Sequence, residues 1–136
     1  MDHDVEISRP LVVVVDDDES VRESLPDLLR DFGVDARTFA CAEDFVASGV
    51  ADATGCLILD VGLPGLSGPD LHEELLRLGH RIPTIFITAQ GDESLGPRLI
   101  ARGAVACLFK PFSDTALLRA LTAALGGGDD VSGRWR

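Results

Sequence analysis

Five short strand patterns, spaced between helical patterns, constrain this chain more than any other feature. LVVVV (Leu11–Val15) is β-branched and unbroken, the pattern of a strand buried on both faces. Val34–Phe39 reads as a short second strand, and further strand patterns recur at Cys56–Leu59 ending at Asp60, Thr84–Thr88 and Ala104–Phe109. Between them lie segments of helical spacing. Asp18-Glu19-Ser20 offers helix-starting chemistry ahead of Val21, Leu25, Leu28, Leu29 and Phe32, and Gly33 stops that run. Pro26 falls inside it and predicts a kink. A short helix follows near Ala42–Ala47. Ser67 caps a helix with Leu71, Leu75 and Leu78 on one face. Asp92–Arg102 is helical by position, but Gly96-Pro97 makes that helix short or late, with Pro97 in its first turn. Ser113 caps a last helix with Leu117, Leu121, Ala124 and Leu125 inward, ended by Gly126-Gly127-Gly128.

Five βα units predict an α/β fold: one parallel sheet of five strands, doubly wound, with helices on both faces. At 136 residues, 46% apolar and 26% charged, the chain reads as a single self-sufficient domain. Residues 1–8 read as an N-terminal tail, 9–126 as the domain and 127–136 as a flexible tail or linker stub. Twelve basic against 23 acidic residues leave a net charge of −11, which argues against direct nucleic-acid or anionic-membrane binding. No apolar run is long enough to span a bilayer, and the N-terminus lacks a secretion signal. Cys41, Cys56 and Cys107 form no Cys-x-x-Cys pair, so they read as small buried hydrophobes in a reducing, cytoplasmic setting.

Ligands of such sheets sit beyond the carboxyl ends of the strands. Those ends carry Asp16-Asp17-Asp18, Asp60, Thr88 and Lys110-Pro111. Taken singly, each has an ordinary reading. Asp18 is a helix cap, Thr88 a β-branched strand residue, Lys110 a solvated surface group and Asp60 a turn former. Taken together they are unusual, because clustered carboxylates repel unless a cation neutralises them. An oxygen-only set suits Mg²⁺, Thr88 offers a hydroxyl donor, and Lys110 a point charge for an oxyanion. Such a set forms a phosphoryl-transfer site with Asp60 as its nucleophile.

The segments VVVVDDDES, LILDVGLPGLSG, IFITAQGD and FKPF resemble those of response-regulator receiver domains, the CheY-like family of two-component signalling. The resemblance runs from about Arg9 to Gly126 and is greatest to the subfamily of nitrogen-fixation regulators. It implies the flavodoxin-like (CheY-like) fold and phosphorylation of Asp60 by a sensor histidine kinase or phosphotransfer protein. It further implies that Asp16, Asp17, Asp60 and the backbone carbonyl of Gly62 hold Mg²⁺. Thr88 would hydrogen-bond the phosphoryl group and move toward it, small Ala89 would leave it room, Lys110 would contact its oxygen, and Lys110-Pro111 would be cis. A downstream protein partner or an output domain would read the switch, and a homodimer formed on phosphorylation is compatible with it.

Two departures stand out. Cys107 occupies the position, three before the lysine, where the family usually has Tyr or Phe, and a thiol cannot sweep between buried and exposed positions as a ring does. Phe109, on the same strand face, could substitute, although core packing explains it equally. With Gly96-Pro97 in the fourth helix, this predicts an atypical output face. Two other functions fit the sequence less well. An aspartate-based phosphatase usually carries Asp-x-Asp, but Gly62 holds the second position. A flavin or nucleotide module needs an anion cradle after the first strand, where this chain is acidic. His3, His72 and His80 are expected at the surface, Leu118 as a leftover exposed apolar residue, and Arg134-Trp135-Arg136 is too short for a nucleic-acid arm.

Overall fold

The computed structural model describes residues 9–89 and 93–126. The tails 1–8 and 127–136, His3, Asp92 and the last two residues of the glycine run lie outside them. The chain runs β1 (Leu11–Val15), α1 (Glu19–Phe32), β2 (Asp35–Phe39), α2 (Ala42–Ser48), a 3₁₀ turn (Ala51–Ala53), β3 (Thr54–Asp60), α3 (Gly68–Arg77), β4 (Thr84–Thr88), α4 (Leu95–Ala101), β5 (Ala106–Phe109) and α5 (Asp114–Gly126). All four strand pairings are parallel, in the order β2-β1-β3-β4-β5. The order reverses at β1 and β3, so a crevice opens beyond their carboxyl ends.

Strict alternation along the strands divides the core into two layers. Val12, Val14, Ile58, Ile85 and Ile87 pack with Leu25 and Leu29 of α1 and Leu117 and Leu121 of α5. Val13, Val15, Leu57, Leu59 and Phe86 pack with Ala42 and Phe45 of α2, Leu71 and Leu75 of α3, and Leu99 of α4. Side chains two apart share a face and neighbours oppose each other. A strand covered on both sides must therefore carry apolar residues on both faces, as β1 does throughout and β4 does between Thr84 and Thr88.

Several boundaries differ from the sequence expectation, for one recurring reason. Val34 and Ala104 do not join β2 and β5, because each donates its amide to the preceding helix: Val34 to the Leu29 carbonyl at 3.2 Å, Ala104 to the Leu99 carbonyl at 3.1 Å. In both places a glycine before it (Gly33, φ 107; Gly103, φ 111) takes the left-handed conformation that closes a helix. At the other edge, β3 starts two residues early, at Thr54. Helix α1 continues through Pro26. Helix α4 is seven residues long with Pro97 in its first turn. Leu78 does not face inward with Leu71 and Leu75, since α3 ends at Arg77 and leaves it exposed. His72 is buried rather than superficial, because it shares the inward face of α3 and meets the Phe86 ring edge-on at 5.5 Å. His80 is half-buried and pairs with Asp52 at 3.3 Å. Leu118 is half-buried against the α1–α5 layer. Among the described residues, no helix is long and apolar enough to cross a membrane.

Candidate functional site

Strand register brings the chemically distinctive residues to one rim. Each strand's end is tied to its neighbour's: the Asp16 amide donates to Phe39 (3.0 Å), Val61 to Ile87 (2.9 Å) and Lys110 to Thr88 (2.8 Å). Asp16, Asp60, Thr88 and Lys110 therefore lie at the carboxyl ends of four adjacent strands. Asp16, Asp60 and Thr88 are buried, and Asp17 is exposed. Asp16, Asp17 and Asp60 each offer a carboxylate oxygen, and these oxygens lie within 4.8 Å of one another. Lys110 Nζ sits 3.0 Å from Asp16 Oδ2. That oxygen accepts no hydrogen bond among the described residues, so the ammonium compensates its charge without the alignment of a full hydrogen bond.

The electrostatic consequence follows from burial. Desolvation, then the nearby Asp16 charge, push the Asp60 carboxyl up to about 6, against the pull of the Gly62 amide and Lys110. Burial lowers the Lys110 pKa, yet the surrounding carboxylates of Asp16, Asp60 and Asp18 more than offset it and raise it above its ordinary value. The rim thus holds more negative charge than its lysine neutralises. The residues present fit Mg²⁺: an oxygen-only set, two of its carboxylates buried and one of their oxygens left without a hydrogen bond.

Asp18 does different work. Its Oδ1 accepts both the Ser20 amide (2.9 Å) and the Ser20 hydroxyl (2.8 Å), capping α1. Those two bonds hold its carboxyl below the usual range. Ala89 is exposed beside Thr88. The Lys110–Pro111 peptide is cis. Gly62 is exposed, donates its amide to Asp60 Oδ1 at 3.2 Å, and provides no second acid. Cys107 is half-buried; a Cβ built on Gly96 would lie 3.6 Å from its Cβ. Phe109 pairs in register with Thr88 and is 38% exposed, so it is not a core residue.

Three supports of the rim were not apparent in the sequence. Arg22 Nη1 donates to the Asp16 carbonyl at 2.9 Å, tying α1 back to the acidic turn. Glu43 Oε2 accepts the Leu66 amide at 2.9 Å, fastening the β3–α3 loop to α2 across 23 residues of sequence. Gly68 opens α3 so close to β3 that a Cβ there would sit 2.3 Å from the Asp60 carbonyl oxygen. The six-residue step from Asp16 to Arg22 could have drawn notice. The other two depend on contacts that only the tertiary structure makes.

Comparison with known proteins covers most of the chain. The family described as "Response regulator receiver domain" matches residues 12–122. Nodulation protein W of Bradyrhizobium diazoefficiens is 47% identical over 117 residues, which cover 86% of this chain and 52% of that protein. Transcriptional regulatory protein FixJ of Azorhizobium caulinodans is 40% identical over 115 residues, covering 85% and 54%. The low-resolution structure of response regulator StyR superposes with a TM-score of 0.80 at 45% identity, covering 87% of this chain and 60% of that one. This chain spans about half the length of the curated relatives it matches.

Proposed function

Because this chain belongs to the response regulator receiver domain family of two-component signalling, we propose that it is a phosphorylation-controlled switch whose phosphoacceptor is Asp60. The observation that carries this reading is the carboxylate cluster of Asp16, Asp17 and Asp60 beside Lys110, whose oxygens lie within 4.8 Å of one another.

An Asp60 carboxylate oxygen attacks the phosphorus of a donor phosphohistidine or acyl phosphate. The new O–P bond forms as the donor's N–P or O–P bond breaks, and the leaving imidazole or carboxylate departs with the electron pair. Lys110, on its long stem, exchanges its contact with Asp16 for a phosphoryl oxygen. The Thr88 hydroxyl, one strand over, donates to another. Asp16, Asp17, Asp60 and the Gly62 carbonyl would hold Mg²⁺, which supplies the positive charge that offsets the incoming phosphoryl group. Gly62 in place of a second acid disfavours the turnover expected of a phosphatase. Phosphorylation adds charge at the strand ends, and the loops after β3 and β4 carry the change to a partner surface. Phe109, beside Thr88 in register, takes the read-out role that half-buried Cys107 is too small to fill.

The donor is a sensor histidine kinase or a phosphotransfer protein, and the reader is a downstream partner or an output domain of the kind the longer relatives contain. Incubation with a small acyl phosphate and Mg²⁺, followed by intact-mass measurement, tests the proposal. One added phosphoryl group is expected in the wild type and none in Asp60→Asn. Equal incorporation in both would remove Asp60 as acceptor.

A further inference from the structure

A second feature lies on the α2–α3 side, away from the carboxylate rim. A groove of about 600 Å³ runs between these helices, within the size range that seats several side chains. Its apolar part comes from Val46, Ala47 and Leu66. Val46 is 46% exposed on a helix whose Ala42 and Phe45 already fill the core. The groove's charges are lopsided: four carboxylates (Glu43, Asp70, Glu73 and Glu74) against one guanidinium, Arg77. Arg77 is already committed to Glu74 through Nε at 3.1 Å and a second contact, and Glu73 pairs with Arg102 at 3.4 Å. Among the described residues, neither Glu43 nor Asp70 has a cationic partner.

We propose that the α2–α3 groove docks a basic amphipathic helix of a partner protein, its apolar side chains on Val46, Ala47 and Leu66 and its Lys or Arg side chains on Glu43 and Asp70. The charge argues for a cationic occupant, because an acidic or neutral helix would desolvate these two carboxylates without replacing their water. The exposed aliphatic floor between two helices argues for a helix laid in a groove, with anchors at i, i+3, i+4 and i+7. Glu43 gives the groove a route to the switch. One carboxylate oxygen already holds the Leu66 amide, and Gly65 beside it has φ 73 with no room for a Cβ, which would lie 2.7 Å from that oxygen. An occupant that draws on Glu43 therefore touches the loop that begins right after Asp60. Docking stands apart from the phosphoacceptor reading, and only the link to the loop rests on it.

The test uses three synthetic peptides of about 12 residues, observed by amide chemical shifts of the full chain. One carries Leu at i, i+3, i+4 and i+7 among Lys; the second has Ser in place of Leu; the third has Glu in place of Lys. The Lys/Leu peptide is expected to shift the amides of Val46, Ala47 and Leu66. Its affinity should fall roughly tenfold or more in the Glu43→Gln/Asp70→Asn double variant and in Val46→Ser, and with added salt. Equal binding of the Ser peptide, binding of the Glu peptide, or affinity indifferent to those variants would overturn the groove. In Asp60→Asn the affinity should stay within about twofold, since the groove contains none of Asp16, Asp17, Asp60, Thr88 and Lys110; a larger loss would place the peptide on the acidic rim and overturn the proposal.

Discussion

Replacing Asp60 with Asn should stabilise this protein, and the size of the effect can be worked from the rim. The Asp60 carboxyl rises from its ordinary value of 3.8 to about 6 on folding, because burial and Asp16 oppose its charge. Below about pH 4 the group is protonated folded or unfolded and costs nothing. Between about 4 and 6 the unfolded chain releases the proton while the folded chain keeps it, so stability falls as pH rises. Above about 6 the full cost is present. The rise from 3.8 to about 6, at about 1.36 kcal/mol per tenfold change in proton affinity, gives about 3 kcal/mol as an upper limit, shared with Asp16. Asn keeps an oxygen for the Gly62 amide, which lies 3.2 Å from Asp60 Oδ1, and removes the charge. Urea unfolding at pH 7.5 without divalent metal should show Asp60→Asn more stable by about 1–3 kcal/mol. The gain should vanish toward pH 4. It should also shrink in saturating Mg²⁺, which stabilises the folded wild type by mass action. Carboxylates remote from the rim contribute equally to both proteins, so the difference between them reports the Asp16–Asp60 pair. A variant equally or less stable than wild type at pH 7.5, or a gain that grows on acidification, would refute the reasoning.

Two further substitutions separate roles within the same rim. Asp17→Ala should weaken Mg²⁺ binding roughly tenfold or more in a calorimetric titration, with little loss of stability, since Asp17 is exposed. Asp18→Ala should do the reverse, lowering stability through the lost α1 cap while leaving the metal titration nearly unchanged. The opposite order would show the ligands misassigned. Gly68→Ala should destabilise the fold by at least about 2 kcal/mol in urea unfolding, because a Cβ there meets backbone that cannot rotate away; a neutral result would mean that α3 can slide outward at no cost.

Much of this was legible in the sequence, and the reasons differ by element. β1 and β4 match their sequence patterns residue for residue: β1 is an unbroken apolar run, and β4 follows Pro83 with Ile85–Ile87 between its two threonines. β2 and β5 are shorter than their apolar patterns suggest: Val34 and Ala104 spend their amides on closing a helix, and β5 begins only at Ala106, after Val105. His72 went unread for a related cause: a ring that packs against Phe86 carries no mark of burial in its own letter. The acidic rim was visible because parallel topology places every strand's carboxyl end at one edge, so Asp16, Asp60, Thr88 and Lys110 follow from the order of elements. Arg22, Glu43 and Gly68 are less legible, because each acts on a backbone atom of another segment; only the short step from Asp16 to Arg22 leaves a hint in the spacing.

The identity of the acceptor can be read from the covalent bond itself. Borohydride reduces an aspartyl acyl phosphate to homoserine, which marks the residue that carried the group. After treatment with a small acyl phosphate and Mg²⁺, reduction and peptide mapping, homoserine should stand at position 60 and appear only when both donor and metal were present. Homoserine at Asp16 or Asp17, or an unmodified Asp60 in protein that has gained a phosphoryl group, would contradict the account.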